Sequence, residues 1–150
     1  MNVLILSLVT VLTVALVVAV HYEVLGHLSQ RVAEHLRPRF RSVVMILGGL
    51  IAHIGEIWVF AFAYYLLCET LGGSEQPYGR IEGAQNGLLD YVYFSATTFT
   101  TLGFGDLVPQ GHVRFLTAME SLCGLCLVAW TATFTYLEMH PRLRYRAPSE

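Results

Sequence analysis

The apolar positions of this chain are gathered into three long blocks rather than spread as amphipathic stripes. They are VLILSLVTVLTVALVVAV from Val3 to Val20, VVMILGGLIAHIGEIWVFAFAYYLL from Val43 to Leu67, and VRFLTAMESLCGLCLVAWTATFTYL from Val113 to Leu137. A helix rises about 1.5 Å per residue, so a bilayer core of about 30 Å takes roughly 20 residues. The second and third blocks are comfortable spans, and the first is short but adequate. Between the first two, Val24 or Leu25, Leu28, Val32, Leu36 and Phe40 recur every three or four positions, with Arg31, Glu34, His35 and Arg37 among them. That period predicts an amphipathic helix along the inner membrane surface, ended or bent by Pro38; a connecting helix packed on protein has the same period. A further apolar stretch, LLDYVYFSATTFT from Leu88 to Thr100, is too short to cross alone. It predicts a half-membrane helix, with Asp90 in the first turn complementing the positive helix end.

Composition and charge fix the setting. Hydrophobic residues make up 55% of the 150 positions and charged residues 13%, which excludes an ordinary water-soluble domain. There is no lysine, and the arginines fall in RVAEHLRPRFR before the second span, in HPRLRYR after the third, and singly at Arg80 and Arg114. The positive-inside rule puts both clusters in the cytoplasm, hence the N-terminus outside, 21–42 inside, 69–111 outside or dipping inward, and the tail inside. The first block lacks a basic leader and reads as a retained span rather than a cleaved signal. Residues Glu69 to Gly87 read as an exposed turn-rich loop. Cys68, Cys123 and Cys126 lack the further ligands a structural metal needs and read as packing residues.

The informative motif is TTLGFGD, Thr100 to Asp106. It resembles the selectivity filter of the potassium channel family, usually Thr-Val-Gly-Tyr-Gly-Asp, here matched by Thr101, Leu102, Gly103, Phe104, Gly105 and Asp106. With YFSATTFT before it and an apolar helix after it, the resemblance covers Val43 to Leu137. The chemistry suits these residue types. A potassium ion sheds water only where rings of oxygens replace it, and four copies of an extended segment supply rings of backbone carbonyls. Gly103 and Gly105 permit the backbone conformations that aim successive carbonyls inward, while Leu102 and Phe104 point outward and brace the filter. The resemblance implies potassium ions at the carbonyls of Thr101, Leu102, Gly103 and Phe104 and at the Thr101 hydroxyl, with Thr100 closing the pore helix. It also implies that Asp106 bonds an aromatic behind the filter, for which Tyr93 and Tyr91 are the candidate donors. Phe104 lacks the usual tyrosine hydroxyl and Leu102 is bulkier than valine.

One chain carries one filter, so a closed fourfold homotetramer is expected. The expected architecture is an all-α membrane protein: three transmembrane helices per subunit, a re-entrant pore helix and a filter loop. Its parts are an N-terminal span at 1–20, a cytoplasmic amphipathic linker at 21–42, a pore domain at 43–137 and a short cytoplasmic tail at 138–150. The expected function is passive, potassium-selective conduction across a plasma or cell inner membrane. The alternatives are a weakly selective monovalent cation pore and a nonconducting auxiliary or scaffold subunit. Membrane lipids are the surrounding partners and a regulatory subunit stays open, while nothing points to nucleic acid, to a cofactor beyond the permeant ion, or to an enzyme.

Gly124 is the candidate inner-helix hinge, and close helix packing accounts for it equally well. His53, Glu56 and Glu120 are ionisable groups within spans, and such groups must face protein, water or a partner. Because His53 and Glu56 share one helix face, the three form a candidate cluster, structural or pH-sensing, with Glu120 or the back of the pore helix as partner.

Overall fold

The computed structural model describes residues 2–35, 38–71, 77–85 and 87–139. Four helices dominate: α1 (Asn2–His35), α2 (Pro38–Tyr65), α3 (Leu88–Phe99) and α4 (Arg114–Met139). Three of them, two with the short helical turns adjoining them, make stretches long and apolar enough to cross a membrane, Val3–Arg31, Phe40–Thr70 and Gly111–Leu137. The chain is thus a multi-pass, all-α membrane protein. The twelve-residue α3 is about 18 Å long at 1.5 Å per residue and spans only part of that thickness.

The expected division of the N-terminal region into a span and a separate surface helix is corrected. One uninterrupted helix of 34 residues runs from Asn2 to His35, about 51 Å at 1.5 Å per residue. Nothing between Val20 and His35 breaks a helix, since the first proline is Pro38. Leu6, Thr10, Thr13, Val17, His21, Leu25 and Ser29 are all buried, and their spacing of three or four keeps them on one face. That face packs on α2 and α4, while Leu4, Leu8, Val11, Leu12 and Leu16 look outward. Because the buried stripe passes Val20 without interruption, the sequence boundary there has no structural counterpart.

Helix α2 ends in a π-helical turn, Leu66–Thr70, which leads to the loop before α3. That loop contains structure unforeseen from its turn-rich composition. A two-stranded antiparallel ribbon pairs β1 (Arg80–Glu82) with β2 (Val108–Gln110), in the register Arg80 with Gln110 and Glu82 with Val108. The ribbon spans the segments before α3 and after the filter motif, so it closes a loop around both. Its end is a backbone crossing. A Cβ on Gly79 would lie 1.9 Å from the Gln110 carbonyl oxygen, and Gly79 and Gly111 both have positive φ, 103° and 76°. Only glycine meets both demands.

The core lies where α3 is wedged between α2 and α4. Tyr91, Phe94 and Phe99 of α3, Phe60, Tyr64 and Leu67 of the α2 region, and Leu116, Cys123 and Leu127 of α4 are buried there. Phe99 sits against Phe60 and Tyr64 meets Phe94 edge-on, with ring centroids 6.4 and 5.1 Å apart. Cys68 and Cys123 are buried and Cys126 is exposed; all three are free thiols.

Candidate functional site: a filter loop held by a half-length helix

The loop begins where α3 runs out of helical residues. Asp90 secures the start of α3, its Oδ2 accepting a hydrogen bond from the Gln85 amide at 2.6 Å. At the other end the helical carbonyls are taken up by the loop itself. The Thr101 amide donates to the Thr98 carbonyl at 2.9 Å, and the amides of Leu102 and Gly103 both donate to the Thr97 carbonyl, at 2.9 and 3.1 Å. Three consecutive loop amides are therefore anchored to the last turn of α3.

Beyond that anchor the backbone alternates. Thr101, Gly103 and Gly105 have positive φ, at 59°, 52° and 82°. Leu102 and Phe104 between them are not among the positive-φ residues, so every second residue sits in the left-handed region. Glycine takes this region at little cost; Thr101 does not, and its conformation is held by the amide bonds just described. Positive φ at Gly103 and Gly105 was expected from the motif. The strained Thr101 was not, because a β-branched residue gives no sequence signal for positive φ.

Two aromatic side chains of α3 take different partners. Tyr93 donates from its hydroxyl to Oδ2 of Asp106 at 2.8 Å and stacks on Phe104, with centroids 6.5 Å apart and planes 4° apart. Tyr91 is buried and donates instead to Glu69 Oε1 at 2.5 Å, tying α3 to the end of the second span. Burial, with the hydrogen bond to Glu69 next, raises the Tyr91 hydroxyl well above the ordinary tyrosine range. Thr100 donates to the Ala96 carbonyl at 2.7 Å.

In the single chain, every residue from Thr100 to Asp106 is exposed. Leu102 and Phe104 are 59% and 66% exposed among the described residues, large apolar groups left open on this loop.

The three buried ionisable groups do not form one cluster. The two carboxylate oxygens of Glu56 face Nδ1 of His53 at 2.8 Å and Nδ1 of His21 at 2.6 Å. His53 also reaches the back of α3, its ring centroid 5.6 Å from that of Phe99. Glu120 belongs elsewhere, against Tyr64 and Ser95, with Oε2 2.5 Å from the tyrosine hydroxyl and Oε1 2.5 Å from the serine hydroxyl. His21 escaped the sequence reading because the first span was ended at Val20. The signal that finds it is the i, i+4 continuation of the Thr13, Val17 face. Gly124 packs directly on α3, where an added Cβ would lie 2.1 Å from the Phe99 carbonyl oxygen.

Three spans, a half-length helix and an alternating glycine loop are the parts of a membrane channel of the pore-loop class. The chain belongs to the ion channel family Ion_trans_2, whose model matches residues 42–136. It is 30% identical to two pore potassium channel a of Oryza sativa subsp. japonica over 102 residues, covering 67% of this chain and 25% of that protein. It is 32% identical to two-pore potassium channel 1 of Arabidopsis thaliana over 94 residues, 62% of this chain and 22% of that one. With the inward rectifier potassium channel Kirbac3.1 of Paramagnetospirillum magnetotacticum the identity is 35% over 80 residues, 52% and 24% of the two chains. The chain thus spans about a quarter of the length of these relatives. No solved structure matches it.

Proposed function

We propose that four copies of this chain assemble around one axis into a potassium-selective pore that conducts passively down the electrochemical gradient. The observation that carries the reading is the alternation of positive φ at Thr101, Gly103 and Gly105 in a loop anchored to α3. In an extended segment, such alternation turns successive carbonyls toward one side. Four such segments would stack rings of oxygens from Thr101, Leu102, Gly103 and Phe104, with the Thr101 hydroxyl at the inner end. A potassium ion entering there exchanges water for carbonyl oxygens without a bond being made or broken, so the chain acts as a channel rather than an enzyme.

The fourfold assembly is supported by what a single chain leaves open. Leu102 and Phe104 are exposed, and so are Leu122, Leu125 and Val128 on α4. Closing a ring buries such groups without leaving a free edge. The arginines flanking the second and third spans favour a cytoplasmic C-terminus and an N-terminus outside, with the filter loop at the outer face.

The test is the reversal potential of purified protein in a planar bilayer, with potassium chloride on one side and sodium chloride on the other. The expected value lies close to the potassium equilibrium limit. A reversal near zero with clear cation current would replace this reading with a weakly selective pore. Silence from tetramers verified by native mass spectrometry, under varied pH, tension and lipid, would replace it with a nonconducting scaffold.

A further inference from the structure

A second polar site lies away from the filter, where α1, α2 and α4 meet. His21 and Glu56 are sealed there, with 0% of each side chain exposed, and His53 is 13% exposed. Both imidazoles bridge the same two groups. Their Nδ1 atoms face the two oxygens of Glu56, at 2.6 and 2.8 Å, and their Nε2 atoms converge on Oγ1 of Thr131, at 3.2 and 3.1 Å. The rings lie side by side, centroids 5.3 Å apart and planes 25° apart. Thr131 reaches this point because Gly49 has no side chain. A Cβ there would lie 2.7 Å from the Thr131 methyl group.

Counting protons constrains what holds the site together. The Thr131 hydroxyl has one proton and three neighbours able to accept it, the Leu127 carbonyl at 3.0 Å and the two Nε2 atoms. With that proton on Leu127, both Nε2 atoms donate to Oγ1, and each neutral ring turns a bare Nδ1 lone pair toward a carboxylate oxygen. In that tautomer pair, one divalent cation would bind both lone pairs and the carboxylate at a single centre and leave both rings neutral.

We propose that His21, His53 and Glu56 form a binding site for a transition metal ion of the zinc class, with Thr131 as the outer acceptor that fixes both rings. The ligand atoms lie within 4.8 Å of one another. Drawing them onto one ion with bonds of roughly 2.0–2.2 Å takes side-chain movements on the order of 1 Å. Two imidazoles and one carboxylate suit zinc, cobalt or nickel rather than calcium or magnesium, which prefer oxygen ligands. Three protein ligands leave a position open, and a ring held through its second nitrogen is the usual outer support of a metal-bound histidine. His53 borders a cavity of about 350 Å³ between α2 and α4, lined also by Gly49, Leu50, Val128 and Thr131, and this is the side from which an ion enters. The bound ion would staple α1 to α2 and, through Thr131, to the inner helix.

Cobalt is the probe, because its visible absorption reports ligand type and geometry. Purified full-length protein is stripped with chelator and titrated with Co²⁺, then with Zn²⁺ as competitor. The expected result is one ion per chain, a ligand-field spectrum of low coordination number, displacement by zinc and a raised melting temperature. His53→Asn and Glu56→Gln should weaken binding at least tenfold, and Thr131→Val, which keeps all three ligands, about tenfold. The exposed pair His27 and Glu23, 3.6 Å apart, is the internal control, so His27→Ala should change nothing. Failure of the unmodified protein to take up either ion stoichiometrically overturns the proposal in favour of a proton-held cluster, whatever the variants do. Binding that follows His27 overturns it as well. None of these readouts depends on current, so the outcome is separate from that of the conduction test.

Discussion

The hydroxyl of Tyr93 is bonded to the Asp106 carboxylate at 2.8 Å, and the same ring lies flat over Phe104. One side chain of α3 therefore holds the candidate filter loop at its C-terminal end by a hydrogen bond and a stacking contact together. Phe104 contributes no hydroxyl of its own, so much of the bracing falls on Tyr93. Tyr93→Phe keeps the stack and removes the bond. The expected result is a pore that still prefers potassium but closes sooner, seen as shorter open bursts in single-channel records. Bursts of unchanged length would show that the bond does not hold the filter open.

The same contact sets a pH dependence. The hydrogen bond to Asp106 is the main cause that raises the Tyr93 hydroxyl above its ordinary value of 10.0. A raised value means that the fold favours the protonated form. The contribution is present in full below the ordinary tyrosine range and is lost as pH rises through the raised value. Phenolate absorbance of the unmodified protein minus that of Tyr93→Phe should show one tyrosine titrating above 10.0. If the difference spectrum titrates at or below that value, the bond is absent in solution.

The parts of this molecule that repeat a simple local rule were legible, and the parts made by distant partners were not. Length and hydropathy located all three spans, and the glycine pair in TTLGFGD located the loop. The choice of Tyr93 rather than Tyr91 for Asp106 depends on which way each ring faces, and the two candidates remained equivalent in sequence. The ribbon of Arg80–Glu82 with Val108–Gln110 joins segments separated by α3 and the filter, and three-residue strands carry no period to detect. His21 was missed for a different reason. A hydropathy boundary at Val20 cut a helix whose buried face continues to Ser29, and the histidine looked like the first polar residue outside a span. Glu120 was recognised as a buried acid, but its partners come from two other helices, so its separation from Glu56 had to come from the packing.

Glu120 is the next test, because its surroundings also constrain protons. Ser95 has one hydroxyl proton and two acceptors within reach, the Ile57 carbonyl at 2.9 Å and Glu120 Oε1 at 2.5 Å. Tyr64 donates to the other oxygen. All three bonds are made at once if Glu120 carries a proton, donates it to Ser95, and Ser95 donates to Ile57. Glutamine mimics that state, with its amide N–H on the serine and its oxygen on the tyrosine. Glu120→Gln should therefore melt close to the unmodified protein, while Glu120→Leu, which leaves the buried Tyr64 hydroxyl only its longer contact to Thr117 at 3.3 Å, should lose about 1–3 kcal/mol. A glutamine variant as unstable as the leucine one would show that the carboxylate is ionised.

Gly124 separates two explanations of an inner-helix glycine. A hinge requires bending freedom, whereas packing requires only the missing side chain. Alanine supplies a Cβ while remaining the best helix former, so it discriminates between them. In this structure that Cβ would sit 2.1 Å from the Phe99 carbonyl oxygen and 3.0 Å from the Phe99 ring, and neither can yield without shifting the end of α3. Phe99 leads directly into the residues that anchor the filter, so the strain is delivered to Thr101 and Leu102. Overpacking of this kind costs about 1–3 kcal/mol. Gly124→Ala should lower the melting temperature of the purified protein and reduce potassium selectivity, because the filter backbone is displaced. Normal stability and selectivity with altered open probability would instead assign Gly124 to the hinge, with α3 free to follow it.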